Sequence, residues 1–282
     1  MRLSDQQGRY FDTFGFIKFP GLLANEIGAI TQEFEALWDA HGSGHHGREH
    51  DRTQRSALVP FVDRSEYLST LLDDERIEGI AASVLGDDFN YTGSDGNFYV
   101  GDTAWHSDGY IDRKYPSVKM AFYLDPVSHD TGCLRVVPGS HRVHDRFAED
   151  LQKVLPSSRE SHLDEAWGVH GSGVPAVSLE CEPGDLLMFN HSIKHASFGG
   201  GDRRRMFTMN FQERHADEDL PALREDIGKS ARFWVDRAYG DVMVSTASPS
   251  RMRHLGHRLA NDAHLAELSR TARQEMGEPS RS

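Results

Sequence analysis

The tripeptide His106-Ser107-Asp108 sets an imidazole and a carboxylate on one side of an extended segment, because alternate side chains of a strand point the same way. A further histidine brought in from elsewhere in the chain would give two nitrogens and one oxygen on adjacent corners of a metal. That donor set suits non-haem Fe(II) and leaves positions open for a co-substrate and dioxygen. Sixteen histidines make any single one a weak signal, so the surroundings have to carry the argument. Trp105 before the motif and Gly109-Tyr110 after it place the ligands where a strand runs out into a loop, at a rim. Further on, Pro183-Gly184-Asp185 predicts a tight turn and Leu186–Phe189 a buried strand. The chain then delivers His191 and His195 close together, and either could complete the set.

The elements that must position these groups change character along the chain. Residues 8–40 read as a helix, a short strand ending at Pro20-Gly21, and a second helix with Ile27, Ile30, Phe34, Leu37 and Trp38 on one face. Residues 41–56 are polar and Gly-rich and read as a mobile loop; His45, His46 and His50 in it could bind a metal as a His-rich tract, but the expectation is solvated residues on a flexible lid. Leu68 to Leu85 predicts a helix ended by Gly86. From about 89 to 213 short strands take over, with candidates at Asn97–Val100, Val118–Leu124, Cys133–Val136, Ala176–Glu180, Leu186–Phe189 and Arg204–Phe211. A charged, helical insertion is expected at 143–166. Ser248-Pro249 is a helix start signal, followed by Met252, Leu255, Leu259, Leu265 and Leu268 at approximate helical spacing. Short strands around an interior metal predict a mainly β fold with flanking helices, its core a double-stranded β-helix, or jelly roll. No repeat or long linker divides residues 1–282, so one domain is expected.

Composition narrows the partners. A formal charge of −13 argues against a phosphate-tracking nucleic-acid binder, which needs a basic face. No apolar run of about 18 residues or longer occurs, so no membrane span is expected. Two cysteines give no disulfide framework, and the opening residues lack the apolar stretch of a signal peptide. The expectation is a soluble cytoplasmic protein, monomer or homodimer, acting on a small molecule. The triplet Gly199-Gly200-Gly201 is no phosphate cradle, since the Lys-Ser/Thr of a P-loop is missing.

Four segments, in order, resemble the phytanoyl-CoA dioxygenase-like family of Fe(II)/2-oxoglutarate oxygenases. They are Phe11–Leu23, Trp105–Asp108, Asp130–Arg142 with its Pro-Gly-Ser-His turn, and Phe189–Phe211. The likeness spans most of residues 8–213. It implies Fe(II), 2-oxoglutarate and O₂ as the reacting set, with succinate and CO₂ released as a C–H bond is hydroxylated. By the family pattern His195 closes the set with His106 and Asp108, since His195-Ala196-Ser197 matches His-Gly-Ser with a small residue kept small. His191 then stands beside the metal without binding it, and His141 is structural. The resemblance also makes Arg204 the anchor for the 2-oxoglutarate 5-carboxylate, with Ser197 supplying a hydroxyl. A guanidinium suits that task because it offers a carboxylate a bidentate fork. Arg205 is the neighbouring alternative, since a one-residue slip exchanges faces. Asn97 is a candidate co-substrate contact; Trp105, Tyr110 and Asp102 are candidates for the pocket wall. The segment from His195 to Arg204 is slightly shorter than the family pattern. Related halogenases replace the carboxylate by a small residue, so Asp108 implies hydroxylation.

Overall fold

The computed structural model describes residues 1–154 and 168–281. Its centre is two facing antiparallel sheets. Strands β1 (Phe16–Phe19), β2 (Ser56–Leu58), β3 (Asn90–Tyr99), β5 (Ser117–Tyr123), β8 (Leu186–Asn190) and β10 (Arg204–Gln212) form the larger, in the order β1-β8-β5-β10-β3-β2. Strands β4 (Thr103–His106), β6 (Leu134–Val136), β7 (Val177–Leu179) and β9 (His195–Ser197) form the smaller, in the order β4-β9-β6-β7. This is the jelly roll expected, with helices on its outer side.

Alternation decides what each face of the larger sheet does. In β10, Phe207, Met209 and Phe211 point outward into the main core with Val118, Met120 and Phe122 of β5. That core is closed by α2 (Ile27–Ala40), α4 (Glu75–Leu85) and α8 (Pro249–Leu259), through residues such as Phe34, Trp38, Ile80 and Leu255. The intervening positions therefore face the smaller sheet: Arg204, Met206 and Thr208 on β10, and Lys119, Ala121 and Tyr123 on β5. Apolar burial on the outer face holds the sheet rigid and frees the inner face for polar groups.

The helices follow their local signals. Ser4 caps α1 (Asp5–Phe14) in a reciprocal pair with Gln7, and left-handed Gly15 ends it. Ser248 caps α8, with Pro249 in its first turn, as the sequence predicts. Where expectation and structure differ, the reason is local. The helix predicted from Leu68 to Leu85 is broken into α3 (Glu66–Ser69), a 3-10 turn and α4, because Asp74 is extended and its side chain accepts from Arg76 N, starting a new helix. The C-terminal run is similarly divided into α8 and α9 (Leu265–Glu275), joined through Asn261-Asp262. Two shorter helices, α6 (Leu220–Gly228) and α7 (Asp241–Ser245), precede them. Of the insertion expected at 143–166, α5 (Arg146–Val154) is present and residues 155–166 lie outside the described residues.

Residues 41–56 depart most from expectation. His45 is buried, with Nδ1 and Nε2 each 2.9 Å from a backbone oxygen, those of Ala57 and Pro279. His50 is 2.8 Å from Ser56 Oγ through Nδ1 and 2.8 Å from Asp202 O through Nε2. The loop is tied down at both ends, and Ser56 belongs to β2; His45 and His50 are structural bolts, not solvated lid residues.

Candidate metal centre

His106 ends β4 and His195 begins β9, and the two residues are direct cross-strand partners. Opposed positions on paired antiparallel strands present side chains to one face, and the ring centroids are 4.2 Å apart. Each ring is fixed the same way: His106 Nδ1 lies 2.8 Å from Ala104 O and His195 Nδ1 lies 2.9 Å from Ile193 O. Those carbonyls only accept, so both Nδ1 atoms carry the proton and both Nε2 lone pairs point at the same space. Asp108 enters two residues beyond β4, its backbone N–H donating to His191 O at 2.8 Å. Its carboxylate stands 3.8 Å from His106 Nε2 and 3.6 Å from His195 Nε2. One ligand atom from each of the three falls within 4.8 Å of the others. Two neutral imidazoles and one carboxylate on one side of a cavity are a donor set that fits a divalent first-row metal with sites to spare.

Asp108 is held as the anion. Burial alone would raise its pKa, but the Lys119 ammonium, and any proton that His195 and His106 take up, drive it well below the usual carboxylate range. Lys119 Nζ donates to Asp108 Oδ2 at 2.7 Å. No motif pointed to Lys119; the available signal was a lysine inside the apolar strand Val118–Leu124.

His191 is differently placed. Its Nδ1 is 2.9 Å from Ser117 Oγ and its Nε2 is 3.1 Å from Asn210 Oδ1. Burial and the nearby Lys119 push its pKa down to about 4, so the ring is neutral. With both nitrogens engaged, its contribution to the centre is the backbone oxygen that fixes Asp108 and Gly109.

Across the cavity, Arg204 and Arg205 part company. Arg204 is buried, lines the cavity with Ser197, Tyr99, Thr103 and Tyr123, and lies over the Tyr99 ring at 5.2 Å. Its Nε and Nη1 are buried with no hydrogen-bond partner among the described residues. Gly132 and Gly200 make room for it: a Cβ at Gly132 would come within 1.7 Å of Nη1, and one at Gly200 within 2.4 Å. Arg205 points to the outer face, paired with Asp125 at 2.5 Å and Glu35 at 2.8 Å. Ser197 Oγ donates to Gly132 O at 2.9 Å. Asn97 lies outside this lining; its Oδ1 accepts from Arg55 at 2.6 Å and its Nδ2 donates to Asp95 at 2.6 Å. Tyr99, unpredicted, sits between two guanidiniums, with Arg55 at 4.4 Å on its ring. Trp105 Nε1 donates to Gly171 O and Asp102 accepts from Gly199 N, both serving to brace the rim. Tyr110 is 73% exposed at the outer mouth. His141 packs against Gly15, where any Cβ would meet its ring at 2.5 Å.

The fold and this donor set define a jelly-roll protein built around a two-histidine, one-carboxylate centre. Residues 11–206 match the profile of the phytanoyl-CoA dioxygenase (PhyH) family, and the chain belongs to that family. Over 239 residues it is 23% identical to the ectoine dioxygenase of Stutzerimonas stutzeri (strain A1501), which covers 75% of this chain and 77% of that protein. Two solved structures share the fold. The 2-oxoglutarate-dependent carbocyclase SnoK of nogalamycin biosynthesis superposes with a TM-score of 0.58 at 21% identity, over 79% of this chain and 90% of that one. HygX of Streptomyces hygroscopicus, with nickel and 2-oxoglutarate bound, gives 0.57 at 18% identity, over 76% and 88%. Among the described residues no helix is long and apolar enough to cross a membrane.

Proposed function

We propose that this chain is an Fe(II)- and 2-oxoglutarate-dependent dioxygenase that hydroxylates an unactivated C–H bond of a small molecule. The observation that carries the reading is one cavity that brings ligand atoms of His106, Asp108 and His195 within 4.8 Å of one another and also holds the buried Nε and Nη1 of Arg204, which have no hydrogen-bond partner among the described residues. His106, Asp108 and His195 hold the metal. Arg204 receives the 5-carboxylate of 2-oxoglutarate, with the Ser197 hydroxyl at the same wall. Iron(II) bound there, with 2-oxoglutarate and dioxygen, supplies an oxidant able to remove hydrogen from carbon, with succinate and CO₂ released. The chain's own share is orientation and exclusion of water. The carbonyls of Ala104 and Ile193 keep both imidazoles in one tautomer, and Lys119, donating to Asp108 Oδ2, orients the carboxylate toward the two rings. Phe189, Leu134 and Met206 keep the inner wall apolar. Asn97 acts through Arg55 and not on the co-substrate. The carboxylate occupies the position that a halide would need, which favours hydroxylation over halogenation.

We read the 282 residues as one catalytic unit, because α8 packs onto β3 of the core, His254 stacking on Phe89 at 3.8 Å. The buried free thiols Cys133 and Cys181 accord with a cytoplasmic setting. Incubation with Fe(II), 2-oxoglutarate and air should release succinate, and Asp108→Ala should not. Iron-loaded protein that yields no succinate with any offered substrate would instead favour a metabolite-binding or zinc-containing jelly roll.

A further inference from the structure

A second cavity, of about 560 Å³, opens from the metal centre, with Tyr99, Asp108 and Lys119 shared between its lining and the inner one. Its charge runs against that of the chain. The sequence holds 44 Asp and Glu against 31 Lys and Arg, yet eight Lys and Arg and only four Asp and Glu line this cavity among the described residues. Near the metal the charges are matched, Lys119 to Asp108 and Arg55 to Asp95. At the far wall Arg237 and Arg281 have carboxylates of their own, Asp262 at 2.9 Å and Glu278 at 2.8 Å. Asp226, with Glu225 the other carboxylate on that lining, is shared by Arg258 at 3.1 Å, Lys229 at 3.8 Å and Arg113 at 3.9 Å.

Three cations on one carboxylate leave an excess of positive charge in a partly enclosed space. Burying such charge is unfavourable unless a counter-ion accompanies it. Arg258 is buried, and its Nε has no hydrogen-bond partner among the described residues. Asp226 and Arg258 come from α6 and α8, and Lys229 directly follows α6, all beyond the matched residues 11–206, so this wall belongs to the C-terminal flank and not to the shared core. Arg113, from the loop after the metal motif, links it inward: its Nη1 donates to Ser117 Oγ at 2.6 Å, and Ser117 bonds to His191.

We propose that Arg113, Lys229 and Arg258 form a recognition site for an anionic group (carboxylate, phosphate or sulfate) on the substrate that is oxidised at the metal centre. This rests on the dioxygenase reading above. The guanidinium of Arg258 offers a fixed fork, and the exposed ammonium of Lys229 adds a mobile charge from the solvent side. An anion held there lies in the cavity that opens onto Asp108, so the rest of its molecule can reach the metal.

The test is calorimetric titration of the full chain with inorganic sulfate at low ionic strength, after anaerobic loading with iron(II) and 2-oxoglutarate so that Arg204 is already occupied. Saturable sulfate binding is expected. The double variant Arg113→Gln/Lys229→Gln should weaken it by roughly tenfold or more, while Arg9→Gln, an exposed charge far from the wall, should not. Arg258 is left intact because it is buried. Absence of saturable binding in the unaltered chain, or binding unchanged in the double variant, would overturn the site. Loading of 2-oxoglutarate gives its own isotherm. Normal loading without sulfate binding sinks the anion site alone. Sulfate binding that responds to the double variant without any loading supports the site and removes the dioxygenase reading instead.

Discussion

The inner cavity and the outer one are built by opposite strategies. Around the metal centre, His106, His195, Lys119 and Arg204 stand on strands, and Asp108 follows β4 by two residues. His106 and His195 are each anchored to a carbonyl two residues back, and Arg204 faces inward because Phe207, Met209 and Phe211 commit the alternate positions to the core. The outer cavity draws Arg113 from a loop, Asp226 and Arg258 from separate helices, and Arg281 from the chain end. Such a wall can change without disturbing the strands. On the proposed reading, the chemistry is fixed by the sheets and the choice of substrate is left to the flanks.

The sharpest way to break this division is to remove a metal ligand. His106→Ala, Asp108→Ala and His195→Ala should each abolish succinate formation and lower the iron content of the purified protein. His191→Ala should keep most of both, since its ring makes hydrogen bonds only and its carbonyl survives the change. Asp108→Gly should lose hydroxylation without gaining halogenation, because the surrounding groups, Lys119 above all, are placed for a carboxylate. Product mass spectra with chloride present would decide it, and full hydroxylation by that variant would remove Asp108 from the ligand set.

Arg204→Ala comes next. Breaking a buried charge pair costs about 2–5 kcal/mol, so the KM for 2-oxoglutarate should rise by an order of magnitude or more. Arg205→Ala should leave that KM nearly unchanged and instead lower stability, on the order of 1 kcal/mol, through its lost pairs with Glu35 and Asp125. The opposite pattern in steady-state kinetics would place the anchor one residue along β10. A smaller effect is expected for Lys119→Met. Losing a partner that orients a metal ligand typically costs about 10–100-fold in metal affinity, and equilibrium iron binding should fall within that range. Unchanged affinity would reduce Lys119 to a wall residue.

What could be read from the sequence follows the same division. The His-x-Asp pair was legible because strand alternation is local, whereas the choice of His195 over His191 and of Arg204 over Arg205 came from the family resemblance. Lys119 and Tyr99 were visible only as a charge inside an apolar strand and as an aromatic in cross-strand register with Arg204. Asn97 lies on the same strand, two residues before Tyr99, but Arg55 takes its amide oxygen, and nothing in the loop 41–56 announces that contact. Asp226, Lys229 and Arg258 were out of reach, since their pairing depends on how α6 and α8 pack.

The smallest expected effect concerns the loop that composition misread. His45 looks like one residue of a solvated histidine tract, yet it joins Ala57 on one side to Pro279 on the other. It is distant from the metal ligands in the hydrogen-bond network and lines neither cavity at the centre. His45→Ala should therefore leave the KM for 2-oxoglutarate and the iron affinity as they are. A backbone oxygen loses its donor, which costs about 1–3 kcal/mol and lowers the melting temperature by a few degrees. Calorimetric unfolding alongside the succinate assay checks both halves. A changed KM with unchanged stability would mean that the loop moves with the co-substrate after all, and that the outer flank reaches further into the chemistry than its contacts indicate.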